Sequence, residues 1–314
     1  MYRDKTVGLV IPAFNEEILI GPTLEKVPEL VDRVFVVDDC STDSTCRMVE
    51  EKAETDERVT LIRHDLNQGP GGAIITGYLA SAKAGMDLTV VVGGDDQMPL
   101  DTITDLLDPV VEGGCDYTKG NRFHHIGPTL EKMPKIRLWA NMLITALTKI
   151  CSGYYKVMDV VDGYTCISRR AIEVINWEKA WPGYGYPMNF LVHLNAHGFK
   201  VKDVPRRPIY LPGVQQSKIK GLSYALKVSP MLLRSFFWRL LYRYLYRDFH
   251  PLVFFYFLGL ILLPLGLLQG IWLIIRQLSG VGVSGPQAVF CAMCVITGAQ
   301  FLLFAMFFDM EEGK

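Results

Sequence analysis

Cysteine is scarce, with seven residues in 314, too few for a disulfide scaffold. The 28 glycines follow no Gly-X-Y period, which excludes a collagen-like rod. Net charge is almost absent, with 32 basic against 33 acidic side chains and a sum of −1. Nothing there suggests a nucleic-acid binder. With 50% of its residues hydrophobic, the chain carries enough apolar material for a core and is no disordered segment. The opening Tyr2-Arg3-Asp4-Lys5 is polar, so no signal peptide is expected before the first strand. No G-x-G-x-x-G turn follows that strand, which argues against a dinucleotide-binding fold.

What is present is unevenly placed. Mean hydropathy is +0.20, and two runs account for the excess. Residues 252–275 are 24 positions without a charge, and residues 287–308 are another 22. Each is long enough, at about 1.5 Å per residue, to cross a hydrocarbon layer of about 30 Å. Both are apolar on every face, so a transmembrane hairpin is expected, with Pro264 tolerated inside it.

Charge is divided just as sharply. Residues 1–199 hold 19 basic and 28 acidic side chains, residues 200–247 hold 11 and 1, and the remainder 2 and 4. From Lys218 to Arg247 there is no acid. Arg239, Arg243 and Arg247 share a helical face among six aromatics between Phe236 and Tyr246. Basic, aromatic juxtamembrane helices over 222–248 are therefore expected in the headgroup layer. The positive-inside rule then puts residues 1–221 and both termini in the cytoplasm, with 249–314 forming the hairpin. The cysteines outside the spans have no ligand spacing and suit a reducing compartment.

Residues 6–12, 33–38, 58–63 and 87–92 read as short buried strands, with helices around 16–31, 42–54 and 70–84. That alternation predicts an α/β domain with a mostly parallel sheet, whose ligands bind beyond the carboxyl ends of the strands. After the second strand, Asp38 and Asp39 are placed to bond ribose hydroxyls or a base N–H, while Ser41, Thr42 and Asp43 suit a helix cap. After the fourth, Gly93-Gly94-Asp95-Asp96-Gln97 offers hard oxygen ligands of the kind Mg²⁺ or Mn²⁺ prefers.

Taken together, Ile11-Pro12-Ala13-Phe14-Asn15-Glu16, Val37 to Asp43, Asn67 to Ala73, Gly94 to Gln97 and Gly120-Asn121-Arg122-Phe123 resemble the family-2 glycosyltransferases of GT-A fold over residues 6–220. Asp159-Val160-Val161-Asp162-Gly163-Tyr164, the stretch Arg206 to Lys220 and the terminal hairpin are similar to the polyprenyl-phosphate branch, which includes the dolichol-phosphate mannose and glucose synthases. The resemblance implies single-sugar transfer, with inversion, from a UDP- or GDP-sugar to a polyprenyl phosphate at the cytoplasmic face of a membrane. It implies a nucleotide-sugar site of Pro12, Ala13, Asn15, Glu16, Asp38, Asp39, Gly71, Asp95 and Arg122. It further implies phosphate contacts from Arg137, Ser217 and Lys218, to which Arg206, Arg207 and Lys220 either add or serve anionic lipid headgroups instead, and a Mg²⁺ or Mn²⁺ site of Asp95 and Gln97. It also implies a catalytic carboxylate, for which Asp159 and Asp162 are the candidates, Asp159 being preferred. Gly93 stands where the family's metal turn has its first Asp, and Pro70 where a basic residue is frequent. Association of copies through the spans is also implied.

The remaining motifs point elsewhere. His193 and His197 are four apart but lack the glutamate of a protease helix, and Cys291-Ala-Met-Cys294 lies inside a span; both read as packing. A processive polysaccharide synthase would need a Q-x-x-R-W motif and more spans. A catalytically silent membrane scaffold or lipid-carrier binder is the rival that Gly93 motivates.

Overall fold

The structure, a computed structural model, describes residues 1–124, 135–207, 209 and 221–313, and for 124, 135–141, 221–223 and 225–226 it gives the backbone alone. The chain divides into two compact units, one from Met1 to Phe236 and one from Phe237 onward.

The first unit is built on a seven-stranded sheet: β1 (Val7–Ala13), β2 (Arg33–Asp38), β3 (Val59–Arg63), β4 (Leu88–Val91), β5 (Tyr117–Asn121), β6 (Thr165–Ser168) and β7 (Val201–Pro205). The strand order is β3-β2-β1-β4-β6-β5-β7. Only β6 runs antiparallel to its neighbours. One edge of the sheet therefore gathers the carboxyl ends of six strands together with the segment that enters β6. Chain order reverses between β1 and β4, which opens the crevice where such sheets bind ligands.

The central strands are apolar on both faces, as a covered parallel sheet requires. Val7, Leu9 and Ile11 of β1 join one buried cluster with Ile20, Leu24, Ile103 and Leu106. Val10 faces the other way, against helix Pro70–Lys83, where a Cβ on Gly77 would stand 2.2 Å from Val10 Cγ1. That helix can approach so closely only because residue 77 has no side chain. Beyond it, Tyr78, Trp177 and Phe190 pack with ring centroids 4.9–6.2 Å apart.

The helix expected around 16–31 is shorter, spanning Ile20–Glu25. Asn15 takes a left-handed conformation at φ 54°, and Glu16 and Glu17 spend their N–H groups on Thr45 Oγ1 and Asp43 Oδ2. Their amides are thus satisfied by the loop after β2, and the carbonyl of Glu16 accepts from Leu19 N and Ile20 N in the turn that leads into the helix.

In the second unit, helices Leu252–Leu278 and Gly285–Glu312 are each long and apolar enough to cross a membrane. They meet through small residues. A Cβ on Gly298 would stand 2.5 Å from Leu263 N, and one on Gly266 2.8 Å from Val295 N, so backbones touch where glycine permits.

The expectation that Arg239, Arg243 and Arg247 form one lipid-facing stripe is corrected here. The helix Gly221–Leu241 passes into a π-helical turn over Tyr242–Arg247, which breaks the four-residue repeat. Arg239 is fully buried, and its Nη1 and Nη2 donate to Asp309 at 2.9 and 2.7 Å. Tyr244 Oη donates to the same carboxylate at 2.6 Å, and Arg243 Nη2 donates to the Glu312 carbonyl at 3.0 Å. Two of the three arginines thus hold the C-terminal helix.

Candidate active site

Three loops from neighbouring strands are stitched together at the ligand edge. Asn15 N donates to Ser41 Oγ, and Thr42 N donates to Asn15 Oδ1, both at 2.9 Å. Asp39 N donates to Ala13 O at 2.9 Å, and Gly94 N to Pro12 O at 3.4 Å. Ser41 and Thr42 therefore serve the β1 loop, while Asp43 Oδ1 accepts from Thr45 N at 3.0 Å at the start of the helix that follows. Ser44 holds the N-cap position of Thr45–Thr55 without a side-chain bond.

Asp38 and Asp39 are both buried, but they have different employment. Asp38 Oδ2 accepts from Ser41 N at 3.1 Å. Asp39 is the anchor of the Gly-rich turn. Its Oδ1 accepts from Gln68 N and from His64 Nδ1, and its Oδ2 from Gly69 N, each at 2.8 Å. His64 Nε2 meets Thr76 Oγ1 at 2.9 Å. A carboxylate has about four acceptor sites, so Asp39 keeps about one for a ligand. Sequence reasoning missed His64; its only signal was a histidine directly after a strand that ends beside the acidic pair.

Gly71 has a packing reason to be glycine. A Cβ there would stand 2.6–2.7 Å from the carbonyl oxygens of Trp181 and Pro182 and from Tyr186 Cβ. A Cβ on Gly69, at φ 86°, would stand 2.9 Å from Pro182 O. The turn is pressed against the loop 181–186, and Gly72 N donates to Pro182 O at 3.0 Å.

The acidic turn after β4 presents one carboxylate. Asp96, at φ 54°, turns away to pair with Lys26. Asp95 Oδ1 accepts from Gln97 N at 3.3 Å. Burial raises the Asp95 pKa above the usual carboxylate range, against the pull of that N–H. A Cβ on Gly93 would stand 2.9 Å from Asp95 Oδ1, so the missing side chain makes room for the Asp95 carboxylate. This donor set, one partly exposed carboxylate with an amide side chain two residues on, fits a hard divalent cation that takes the rest of its shell from water and a diphosphate. Among the described residues no cluster of three or more His, Cys, Asp or Glu could enclose a metal alone.

The second half of the edge is a buried ionic cluster. Arg122, just past β5, grips Asp159 with Nε to Oδ2 at 2.6 Å and Nη2 to Oδ1 at 2.9 Å. The same Nε lies 3.4 Å from Asp162 Oδ2. Arg206, just past β7, donates Nε to Asp162 Oδ2 at 2.5 Å and Nη1 to the Gln97 carbonyl at 3.2 Å. That second bond ties the cluster to the acidic turn. Burial pushes the Asp159 pKa up, but the Arg122 fork outweighs it and leaves the carboxyl below its usual range. Beneath lie Lys119 and Asp203, which the sequence reading did not single out. Lys119 Nζ donates to the Asp162 carbonyl.

Pro12, Ala13, Asn15, Glu16, Asp38, Asp39, Asp95, Gln97, Arg122, Asp159, Asp162 and Arg206 thus all lie along one sheet edge. Arg137 lies in helix Lys135–Ser152, outside the described side chains; Ser217, Lys218 and Lys220 lie outside the described residues. His193 is buried and His197 caps its helix, bonding the His193 carbonyl at 2.8 Å through Nδ1, in keeping with packing.

Solved structures define the fold class. Glucosyl-3-phosphoglycerate synthase from Mycobacterium tuberculosis superposes with a TM-score of 0.54 over 75% of this chain and 81% of that one, at 18% identity. The same enzyme in complex with Mn²⁺, uridine diphosphate and phosphoglyceric acid superposes with 0.53 over 75% and 78%, also at 18% identity. The likeness is one of fold, and the fold is GT-A. Residues 9–175 match the model for glycosyl transferase family 2, and the chain belongs to that family; it is a glycosyltransferase. Among its relatives, a UDP-N-acetylglucosamine–dolichyl-phosphate N-acetylglucosaminyltransferase of Methanococcus voltae is 27% identical over 220 residues, 66% of this chain and 87% of the relative. A polyprenol monophosphomannose synthase of Mycolicibacterium smegmatis is 26% identical over 203 residues, 63% and 75% of the two chains.

Proposed function

We propose that this glycosyltransferase moves one sugar, with inversion, from a nucleoside-diphosphate sugar to a polyprenyl phosphate at the cytoplasmic face of a membrane. The observation that carries the reading is the single sheet edge shared by the Asp95 turn and the paired Arg122–Asp159 and Arg206–Asp162. Two anionic substrates need clustered cations in a site that also offers a carboxylate for a metal. The names of the relatives support the acceptor, and the apolar hairpin provides a means of reaching it. A uridine nucleotide is the first donor to try, because the Methanococcus relative is named for one; GDP-mannose is the second.

The chemistry follows from charge. A phosphate monoester with a second pKa of about 6 is already largely deprotonated at neutral pH. Its oxygen attacks the anomeric carbon while the bond to the donor's β-phosphate oxygen breaks on the opposite face. The nucleoside diphosphate leaves with that electron pair, and the configuration inverts. Asp95, with Gln97 beside it, would hold a divalent cation, whose charge would offset that of the leaving diphosphate. Arg122 and Arg206 orient phosphate oxygens through their planar forks. Asp159, ionised beneath Arg122, is the catalytic carboxylate that steadies positive charge developing on the sugar, and Asp162 holds Arg206 in place.

The test is purified full-length protein with labelled UDP-glucose, UDP-N-acetylglucosamine or GDP-mannose, undecaprenyl or dolichyl phosphate, and Mg²⁺ or Mn²⁺. One labelled lipid product that disappears with EDTA is expected. Long polymer would point to a processive synthase, and no turnover across the panel to a silent scaffold.

A further inference from the structure

Lys119 is a cation sealed from solvent. It lies within β5, opposite Thr165 of β6 and Asp203 of β7, and its accessible surface is zero. Its ammonium donates to the Asp162 carbonyl, and the surrounding field comes from Asp162, Asp159 and Asp203, opposed by Arg122. Burying an ammonium is costly unless it is compensated, so a strand position given to lysine in this core calls for a reason beyond packing.

The ionic cluster supplies one. Three carboxylates (Asp159, Asp162, Asp203) face three cations (Lys119, Arg122, Arg206), and the cations are not equally reachable. The Arg122 side chain is 31% exposed, whereas that of Arg206 is 6% exposed. A substrate diphosphate or phosphate arriving at the edge therefore competes first for Arg122. When it does, Asp159 loses its fork and would rise towards its neutral form in so buried a place.

We propose that Lys119 is a positioning residue: an internal counter-charge that keeps the Asp159–Asp162 turn in place and its carboxylates ionised while Arg122 is engaged by substrate phosphate. The proposal rests on the reading of the site as a transferase centre with Asp159 as its carboxylate. Burial, partly offset by the three acids, lowers the Lys119 pKa to about 8, so the counter-charge is present at neutral pH and is lost as pH rises through that value. Asp203 is raised to about 6 by burial, Asp159 lies below its usual range, the arginines stay charged, and the neighbouring Tyr117 and Tyr164 are pushed up, beyond the alkaline range of interest. An alkaline limb in turnover near pH 8 is the signature.

The experiment is steady-state transfer from pH 6 to 10 by the full-length enzyme, Lys119→Met and Lys119→Arg. Lys119→Met should lower kcat by about tenfold or more, as expected for a lost internal charge, and leave donor KM within about twofold because Lys119 touches no substrate. Its alkaline limb should vanish, while Lys119→Arg should retain turnover with the limb displaced above pH 10. Wild-type kcat in Lys119→Met, or an alkaline limb shared by all three proteins, overturns the role of Lys119. If Lys119→Met does not fold, Lys119→Arg decides: a displaced limb supports the role and an unmoved one overturns it. A wild-type enzyme that transfers no sugar overturns this role and the functional reading together, whereas active wild type with an unmoved limb overturns Lys119 alone.

Discussion

At the scale of single residues, Asp159 carries the sharpest expectation. Asp159→Asn preserves shape but gives up the charge that Arg122 brackets. Arg122 is partly exposed, so water can take up its freed donors and the fold should survive. Transfer should fall by about a hundredfold or more, the scale on which groups acting in the transition state are felt, with an unchanged far-UV circular dichroism spectrum; full activity would remove Asp159 from the site. A second expectation concerns stability. Burial lowers the His193 pKa to about 4, from an ordinary 6.5. Below pH 6.5 the unfolded chain takes up this proton before the native one does, so stability rises with pH across that interval and falls on acidification. Each pKa unit is worth about 1.4 kcal/mol. The melting temperature should therefore drop between pH 7 and 5, and His193→Gln should flatten that drop; identical slopes would dismiss His193 as the cause. The acids after β2 and β4 were legible because they follow predicted strands, whereas Arg122, Asp159, Asp162 and Arg206 were legible only through the motifs they share with the family. Lys119 and His64 were not, because pairing register and the cover above a strand bury them, and one chain segment records neither.

At the scale of elements, short-range pattern and long-range partner diverge most in the basic segment. The positions of β1 to β4 could be read closely, since apolar runs bounded by polar turns admit little else, whereas β5, β6 and β7 carry no such run and were not read. The four-residue spacing of Arg239, Arg243 and Arg247 was equally visible, and it misled. Asp309, 70 positions away, claims Arg239, and the π-helical turn over Tyr242–Arg247 alters the register. The acid nearest the apolar run, ahead of Glu311 and Glu312 at the end of that helix, was the available clue. Gly71 teaches the same lesson, since its crowding against Trp181, Pro182 and Tyr186 comes from a loop more than a hundred residues later. The buried pair gives a prediction at this scale. Asp309→Asn removes one partner and leaves Arg239 without a counter-charge, which should cost about 3–5 kcal/mol. The double replacement Arg239→Met with Asp309→Leu removes both charges and should recover most of that loss in thermal unfolding in detergent. Equal stability of Asp309→Asn and wild type would contradict the burial of the pair.

At the scale of the whole molecule, the sum of −1 conceals an acidic stretch over 1–199 and a basic one over 200–247, and the structure spends part of the second internally. Arg206 is committed to Asp162, and Arg239 and Arg243 to the C-terminal helix. Fewer cations therefore remain for lipid headgroups than the sequence count suggests, and orientation rests on the rest of the basic stretch flanking two uncharged spans. If the two apolar helices among the described residues both span, they return the chain to its starting side, and that side must be the one holding nucleotide sugars if the proposed reaction is correct. Nucleotide sugars carry charge and do not cross bilayers unaided. Sealed inverted vesicles, with the cytoplasmic face outward, should therefore convert added donor and endogenous lipid phosphate without detergent. Right-side-out vesicles should stay silent until permeabilised, and tags at either end of the chain should be open to protease only in the inverted preparation. Activity confined to the right-side-out preparation would reverse the orientation, and a single protected tag in inverted vesicles would break the hairpin.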